Sequence, residues 1–534
     1  MRYNKNVLAS ALCLGLLGYG SAALAKSDTL VFCSEGSPAG FDISQFTTGT
    51  DNDAAEPLYN RLTEFTPGGT AAIPALATHW DISEDGLTYS FHLREGVKFH
   101  SNKQFTPSRD LNADDVVFTF ERMRDKEHPF RKAYPTESPY FVAMGLDQNI
   151  LSVEKTGPMT VMFKLRNVDA AFTQNLAMSF AAILSAEYAE QLLARGKPSD
   201  INHQPIGTGP FSFQRYQKDA QIRYRAHDQY WAPEALGLKQ LVFSINTDAS
   251  VRMQKLRKNE CQVTLNPRPA DLPGLEKDER LQVLKQAGYN LGYVAYNVQH
   301  KPFDQLAVRQ AMDMAIDKDA ILQAVYHQAG QKAVNAMPPT QWSYDENIKD
   351  APYDPEKAKA LLREAGVAEG TEITLWAMPV QRAYNPNAKL MAQMLQDDWA
   401  KIGIKARIVS YEWGEYVKRS KNGEHDAILL GWTGDNGDPD NWLGTLYSCA
   451  AIGSNNVSLW CDSEYDALVT QAKQVTDVAQ RTALYRQAQQ RLKQQVPITP
   501  IAHSTVSQPL SRKVQGFEVS PLGRNDFSGV RLLD

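Results

Sequence analysis

Beyond its opening residues the sequence has no uninterrupted apolar stretch of about 18 residues, the length that a membrane-crossing helix requires. Even the apolar segment 170–188 is broken by Thr173, Gln174, Asn175 and Ser179. Positive charge is not in excess: 56 basic against 61 acidic residues leave a formal net charge of −5. That excludes nucleic acid as the main partner, because phosphate must be met by a basic surface. The usual catalytic signatures are missing too, with no Gly-x-Ser-x-Gly elbow, no His-Glu-x-x-His helix and no phosphate loop. Gly207-Thr208-Gly209-Pro210 lacks the third glycine of a dinucleotide fingerprint, and Pro210 removes a backbone donor, so it reads as a tight turn. Nor is there a repeat or a low-complexity linker, so the domains are expected to be interleaved, with the chain crossing between them more than once.

Metal signals are equally thin. The ten histidines are scattered. His92 and His100 flank a turn at Gly96 that would bring them together in a hairpin, but no Cys, Asp or Glu stands at ligand spacing, and they read as surface or packed residues. The acidic run from Asp435 to Asp440 puts Gly437 where a calcium loop needs its second oxygen ligand. No metal and no cofactor is expected.

What is present begins with an export signal. Arg2 and Lys5 precede an apolar run, 7–18, which gives way to Ala23-Leu24-Ala25 before Lys26. A basic start, short apolar middle and small-x-small exit make residues 1–25 a secretory signal peptide and the mature chain an exported one. Cys13 follows Leu12, where a lipid-acceptor cysteine would want a small residue, so a soluble exported protein is expected. Four of the five cysteines remain after cleavage: Cys33, Cys261, Cys449 and Cys461. In an oxidising compartment these are expected to pair, in one of three ways. A Cys449–Cys461 staple would close a loop of only 11 residues and stabilise by about 3 kcal/mol.

The 534 residues are enough for two to four domains. Strand and helix signals alternate, which argues for α/β layers. Residues 29–32 read as an opening strand. Asn112 before Ala113-Asp114-Asp115 reads as a helix start with acid in the first turn. Asp248 heads a similar helix whose apolar stripe includes Val251 and Leu256. Asp354-Pro355 and Gly366 bracket another. A helix over 391–402 ends at Gly403, and Ile404, Ala406 and Ile408 then alternate as a strand.

Segments 30–38, 57–62, 111–116, 205–211, 376–382 and 431–440 resemble the large peptide/nickel family of periplasmic solute-binding proteins that serve bacterial ABC importers. The match extends from about residue 29 to near the C-terminus. Ala113-Asp114-Asp115-Val116 marks the family as a whole, whereas Gln381-Arg382 and Trp432-Thr433-Gly434-Asp435 are specific to its dipeptide branch. The resemblance implies a two-lobed α/β fold of the type II, large peptide-binding subclass, with an extra inserted domain and a ligand cleft between lobes. Lobe I would comprise 26–72, 206–290 and 506–534, the inserted domain 73–205 and lobe II 291–505. It also implies disulfides Cys33–Cys261 and Cys449–Cys461.

By the same resemblance Asp435 binds a dipeptide's α-ammonium and Arg382 its α-carboxylate, with Trp432, Thr433 and Gly434 offering backbone groups. In isolation, an arginine after Gln381 is a solvated side chain and an aspartate in a glycine-rich loop is a turn cap; the branch-specific context gives them these roles. Tyr384, Trp413, Trp432 and Tyr140 are candidates to line side-chain pockets. Glu35, Gly36 and Ser37 follow the opening strand, where they face the cleft or form a turn. The expected function is capture of dipeptides and delivery to membrane permease subunits by a monomer that is not an enzyme. Alternatives are another cargo on the same fold (haem, an opine-like compound or a longer peptide) or, more remotely, an exported peptidase.

Overall fold

The computed structural model describes residues 28–327 and 329–533. The expected signal peptide and Cys13 lie outside them. Among the described residues twelve strands join in one mixed sheet, whose main path runs 404–409, 371–376, 427–433, 290–296, 498–511, 263–264, 29–34, 240–245, 221–226, 211–217. The strand Ile498–Ser511 carries this path across the molecule. Its first residues pair antiparallel with Asn290–Tyr296, and its later ones, Thr505 to Ser511, pair with Leu281–Ala287.

Among the described residues two large hydrophobic cores lie on either side of that crossing, with a small third cluster of Met253, Leu256, Leu275 and Leu281. One collects residues from Leu30 to Leu265 together with Leu510 to Val530; the other collects Tyr289 to Ala502 with Leu522. The strand 281–287 continues into 290–296 past Gly288, whose amide donates to Ser504 O at 3.0 Å. A Cβ on Gly288 would sit 2.3 Å from that carbonyl, so only glycine lets the two crossing strands approach this closely. Residues 77–165 supply a separate four-stranded antiparallel sheet in the order 77–82, 88–93, 160–165, 150–157, and its buried face joins the first core.

Local punctuation explains where elements begin. Asn112 Oδ1 accepts from Asp114 N, and Asp115 accepts in return from Asn112 N at 3.0 Å, starting the helix Ala113–Arg124. Asp354 caps Pro355–Glu364, and Gly366 leaves that helix with φ of 75°. The helix expected from residue 391 starts earlier, at Ala388, because Asn387 Oδ1 accepts from Leu390 N. In Ala249–Arg257 the buried residues are Arg252, Met253 and Leu256, while Val251 is exposed. The Arg252 guanidinium displaces Val251 from the expected stripe by donating to the carbonyls of Asn246 and Thr247.

Gly207 and Gly209 press onto the backbone of Leu58, where an added Cβ would lie 2.0 Å from Leu58 O and 2.4 Å from Leu58 C respectively. Close packing is therefore the reason for both glycines. The hairpin expected to join His92 and His100 does not form. His100 is buried with Nε2 on Gly209 O, and His92 stacks instead on His79 of the adjoining strand. Both expected disulfides are present, Cys33–Cys261 and Cys449–Cys461. Among the described residues no helix is long and apolar enough to cross a membrane.

Candidate functional site

Two neighbouring parallel strands, Thr371–Trp376 and Ala427–Thr433, pair through Leu375 with Ala427 and Trp376 with Ile428. Loops leaving the carboxyl ends of parallel strands are where α/β folds place ligands. Arg382 stands in the loop after the first strand and Asp435 in the loop after the second. The backbones of Arg382 and Asn385 exchange two hydrogen bonds of 3.1 Å, closing a four-residue turn. The Tyr326 hydroxyl donates to Tyr384 O at 2.6 Å and pins that turn. The buried ring of Tyr384 lies over Gly431, where a Cβ would come within 2.1 Å of it. Gly431 is therefore what allows the Arg382 turn to rest on the neighbouring strand.

The turn aims the Arg382 guanidinium between an aromatic face and a carboxylate. It lies 5.4 Å from the Trp413 ring centroid and 3.6 Å from Glu35 Oε1. Trp413 opens the helix Trp413–Lys421 and stacks on Tyr416, whose hydroxyl donates to Trp376 O and Leu429 O. Glu35 belongs to the first core's side of the molecule, one residue past the strand Thr29–Ser34, and accepts from Asn266 Nδ2 at 2.7 Å. Of the three residues expected to follow the opening strand into the cleft, Glu35 alone faces Arg382. Gly36 packs on Thr50, and the Ser37 hydroxyl donates to Asp219 on an exposed loop.

Asp435 is held at three points. The Tyr140 hydroxyl donates to its Oδ1 at 2.7 Å, Asn441 Nδ2 donates to its Oδ2 at 3.2 Å, and its own amide donates to Asn441 Oδ1 at 2.9 Å. Burial raises its carboxyl to about 6, with the bonds from Tyr140 and Asn441 and the charge of Arg524 pulling the other way. Burial and the facing carboxylate push the Tyr140 phenol well up. The Trp432 indole nitrogen also donates to Asn441 Oδ1, and Thr433 pairs with Asn290 in the sheet. The Gly434 amide donates to Tyr289 O, and a Cβ there would meet the Tyr289 ring at 2.3 Å. Gly434 is thus required by packing, and its N–H is committed inside the protein rather than offered to the cleft.

Each charge therefore meets a partner from the opposite core: Arg382 meets Glu35, and Asp435 meets Tyr140. Asn436 Nδ2 donating to Asn175 Oδ1 and Lys473 Nζ donating to Met144 O continue this seam. Two participants had no signal in the sequence. Asn441, buried in the helix Asp440–Tyr447, joins Trp432 to Asp435. Arg524, close to the C-terminus, lies over Phe65, donates to Ala177 O and places a second cation near Asp435. Among the described residues the one group of three metal-ligating side chains, His79, Asp81 and His92, lies on the other sheet.

The site thus presents an anion and a cation at neighbouring strand ends, with aromatic rings beside them and a seam between two cores running past both. Such an arrangement has the chemistry to meet a small molecule carrying both charges. The sequence profile described as bacterial extracellular solute-binding proteins, family 5 middle, matches residues 71–454. Di/tripeptide-binding protein 1 of Pseudomonas aeruginosa (strain UCBPP-PA14) is 66% identical over 534 residues, 99% of each chain. Heme-binding protein A of Haemophilus influenzae is 47% identical over 95% of this chain and 93% of its own. Among solved structures, the dipeptide binding protein from Pseudoalteromonas sp. SM9913 in complex with Met-Leu has a TM-score of 0.89 at 39% identity, covering 95% of this chain and 100% of that one.

Proposed function

The chain belongs to family 5 of the bacterial extracellular solute-binding proteins, and from that premise we propose that it captures dipeptides by their two charged termini and delivers them to the permease of an ABC importer. Arg382 takes the α-carboxylate and Asp435 the α-ammonium. The observation that carries this reading is that each of these charges is turned into the seam and met there from the other core, by Glu35 and by Tyr140.

A dipeptide is a zwitterion whose termini stand about 7 Å apart at roughly 3.3–3.6 Å per extended residue. Enclosing it strips water from both ends, which is tolerable only where each end meets an opposite charge and further hydrogen bonds. Arginine grips a carboxylate with two parallel bonds. Asp435, oriented by Tyr140 and Asn441, accepts from ammonium. Two charges a set distance apart select for ligand length and leave the side chains free, with Tyr384, Trp413, Trp432 and Tyr140 as apolar lining.

In this reading lobe I comprises 26–72, 206–290 and 506–534, the inserted domain 73–205 and lobe II 291–505. The lobes close as a population shift favoured by a ligand that touches both. Residues 1–25 direct export to the periplasm, the mature chain works as a monomer, and its cargo leaves chemically unchanged. Calorimetry with di-, tri- and tetrapeptides tests the proposal: dipeptides bind most tightly, and a preference for longer peptides or no peptide binding at all would overturn it. Intact dipeptide recovered after long incubation separates binding from hydrolysis. The identity with a heme-binding protein favours one second reading, haem as a further cargo. Titration with haemin in competition with a dipeptide distinguishes the two.

A further inference from the structure

The antiparallel strands Ala77–Ile82 and Thr88–Leu93 place His79 directly opposite His92, with Asp81 two residues along on the same face. In the second strand Tyr89, Phe91 and Leu93 turn into the core, so His92 stands on the outer face. His79 and Asp81 are exposed, and Ala77–Ile82 is an edge strand. The two imidazoles stack with centroids 4.2 Å apart and planes 6° from parallel. His92 Nε2 lies 2.9 Å from Asp81 Oδ2, and one ligand atom from each of the three residues falls within 4.8 Å of the others. Thr78 Oγ1 lies 3.0 Å from His79 Nδ1, which leaves Nε2 of that ring for another partner.

We propose that His79, Asp81 and His92 form a surface site for one divalent transition-metal ion, separate from the peptide cleft. Two imidazole nitrogens and one carboxylate oxygen suit zinc, nickel or copper, whereas calcium and magnesium want oxygen ligands throughout. Bonds of about 2.0–2.2 Å around a tetrahedral ion set its ligand atoms roughly 3.3–3.5 Å apart, inside the spread these atoms already have. The remaining positions belong to water. Binding requires the stacked rings to splay so that both lone pairs converge, a side-chain rotation open to exposed residues. The sheet register, rather than a flexible loop, sets the spacing, and Thr78 orients the ring of His79 from behind, as outer-shell partners of metal-bound imidazoles do. Without an ion, the contact between His92 and Asp81 is an ordinary surface pair worth little to stability.

The test is titration of the chelator-treated protein with zinc alone. One equivalent should bind, copper should bind more tightly than zinc in the usual order of divalent affinities, and magnesium should not compete. His79→Asn and His92→Gln should each weaken zinc binding about tenfold or more while leaving dipeptide affinity and the thermal midpoint unchanged. Electron paramagnetic resonance of the copper-loaded protein should show nitrogen ligands that the double variant lacks. No uptake of zinc, or uptake that the double variant retains in full, would overturn the proposal.

Discussion

Replacing Arg382 with alanine isolates the carboxylate half of the proposed recognition. The backbone bonds between Arg382 and Asn385, and the Tyr326 bond to Tyr384 O, do not involve the removed side chain, so the turn keeps its shape. Truncating one member of a desolvated, hydrogen-bonded charge pair at an interface costs about 2–5 kcal/mol. Arg382 retains 27% of its side-chain exposure, so solvent screens part of the loss and the lower end applies. About 2–3 kcal/mol corresponds to roughly 30- to 150-fold in Kd. Glu35 adds to this loss, because without the guanidinium its carboxylate faces the incoming one directly.

Calorimetry with a dipeptide and its C-terminal amide, on the native protein and on Arg382→Ala, gives a closed cycle of four affinities. The native protein should bind the acid more tightly than the amide, and the variant should lose that preference or reverse it, because Glu35 repels the carboxylate but not the amide. If the variant keeps native affinity for the acid, or the native protein binds the amide equally well, Arg382 is not the carboxylate's partner.

Three further outcomes follow from the same geometry. Ammonium pairs only with ionised Asp435, whose carboxyl is raised to about 6 without peptide; affinity should be full above that pH and fall towards tenfold per unit below it. Asp435→Asn should bind weakly with no such slope, and a native profile flat down to about pH 4 would contradict the assignment. Gly431→Ala drives a Cβ into the Tyr384 ring and towards Leu291 O, so it should cost about 1–3 kcal/mol of stability and weaken dipeptide binding. Calorimetric unfolding of the double variant with Tyr384→Ala should show less than the sum of the two losses; strict additivity would mean that the ring and Gly431 do not meet. Finally, buried His100, His425 and His503 have their pKa values pushed down by burial to about 3, 4 and 4. Folded values below the unfolded one near 6.5 mean that their stability is complete above that pH and is lost as pH falls towards 4, on the order of 3 kcal/mol for His425. The thermal midpoint should drop across that window, less steeply in His425→Gln, and an unchanged slope would remove His425 from the account.

Much of the architecture was legible along the chain because the forces concerned act over a few residues. Asn112 and Asp354 cap the helices they were expected to cap, and Ile404 and Ala406 turn inward from a strand while their neighbours do not. Expectations failed where a distant group intervened. Val251 lost its place in the core to Arg252, which found carbonyls in the preceding loop. His92 found its partner on the strand before it, because the pairing register of two strands is not written in the spacing of histidines.

The sequence by itself determined the α/β class, the caps of several helices and the family resemblance through which Arg382 and Asp435 could be singled out. Only the tertiary structure decided what those charges face: Glu35 and Tyr140, brought from the other core, together with Asn441 and Arg524, which no motif announced. The physical reason is range. Capping, glycine turns and the alternation of a strand are settled between near neighbours in the chain. The meeting of Tyr140 with Asp435, 295 residues apart, exists only once two cores have packed and the crossing strands have set them edge to edge.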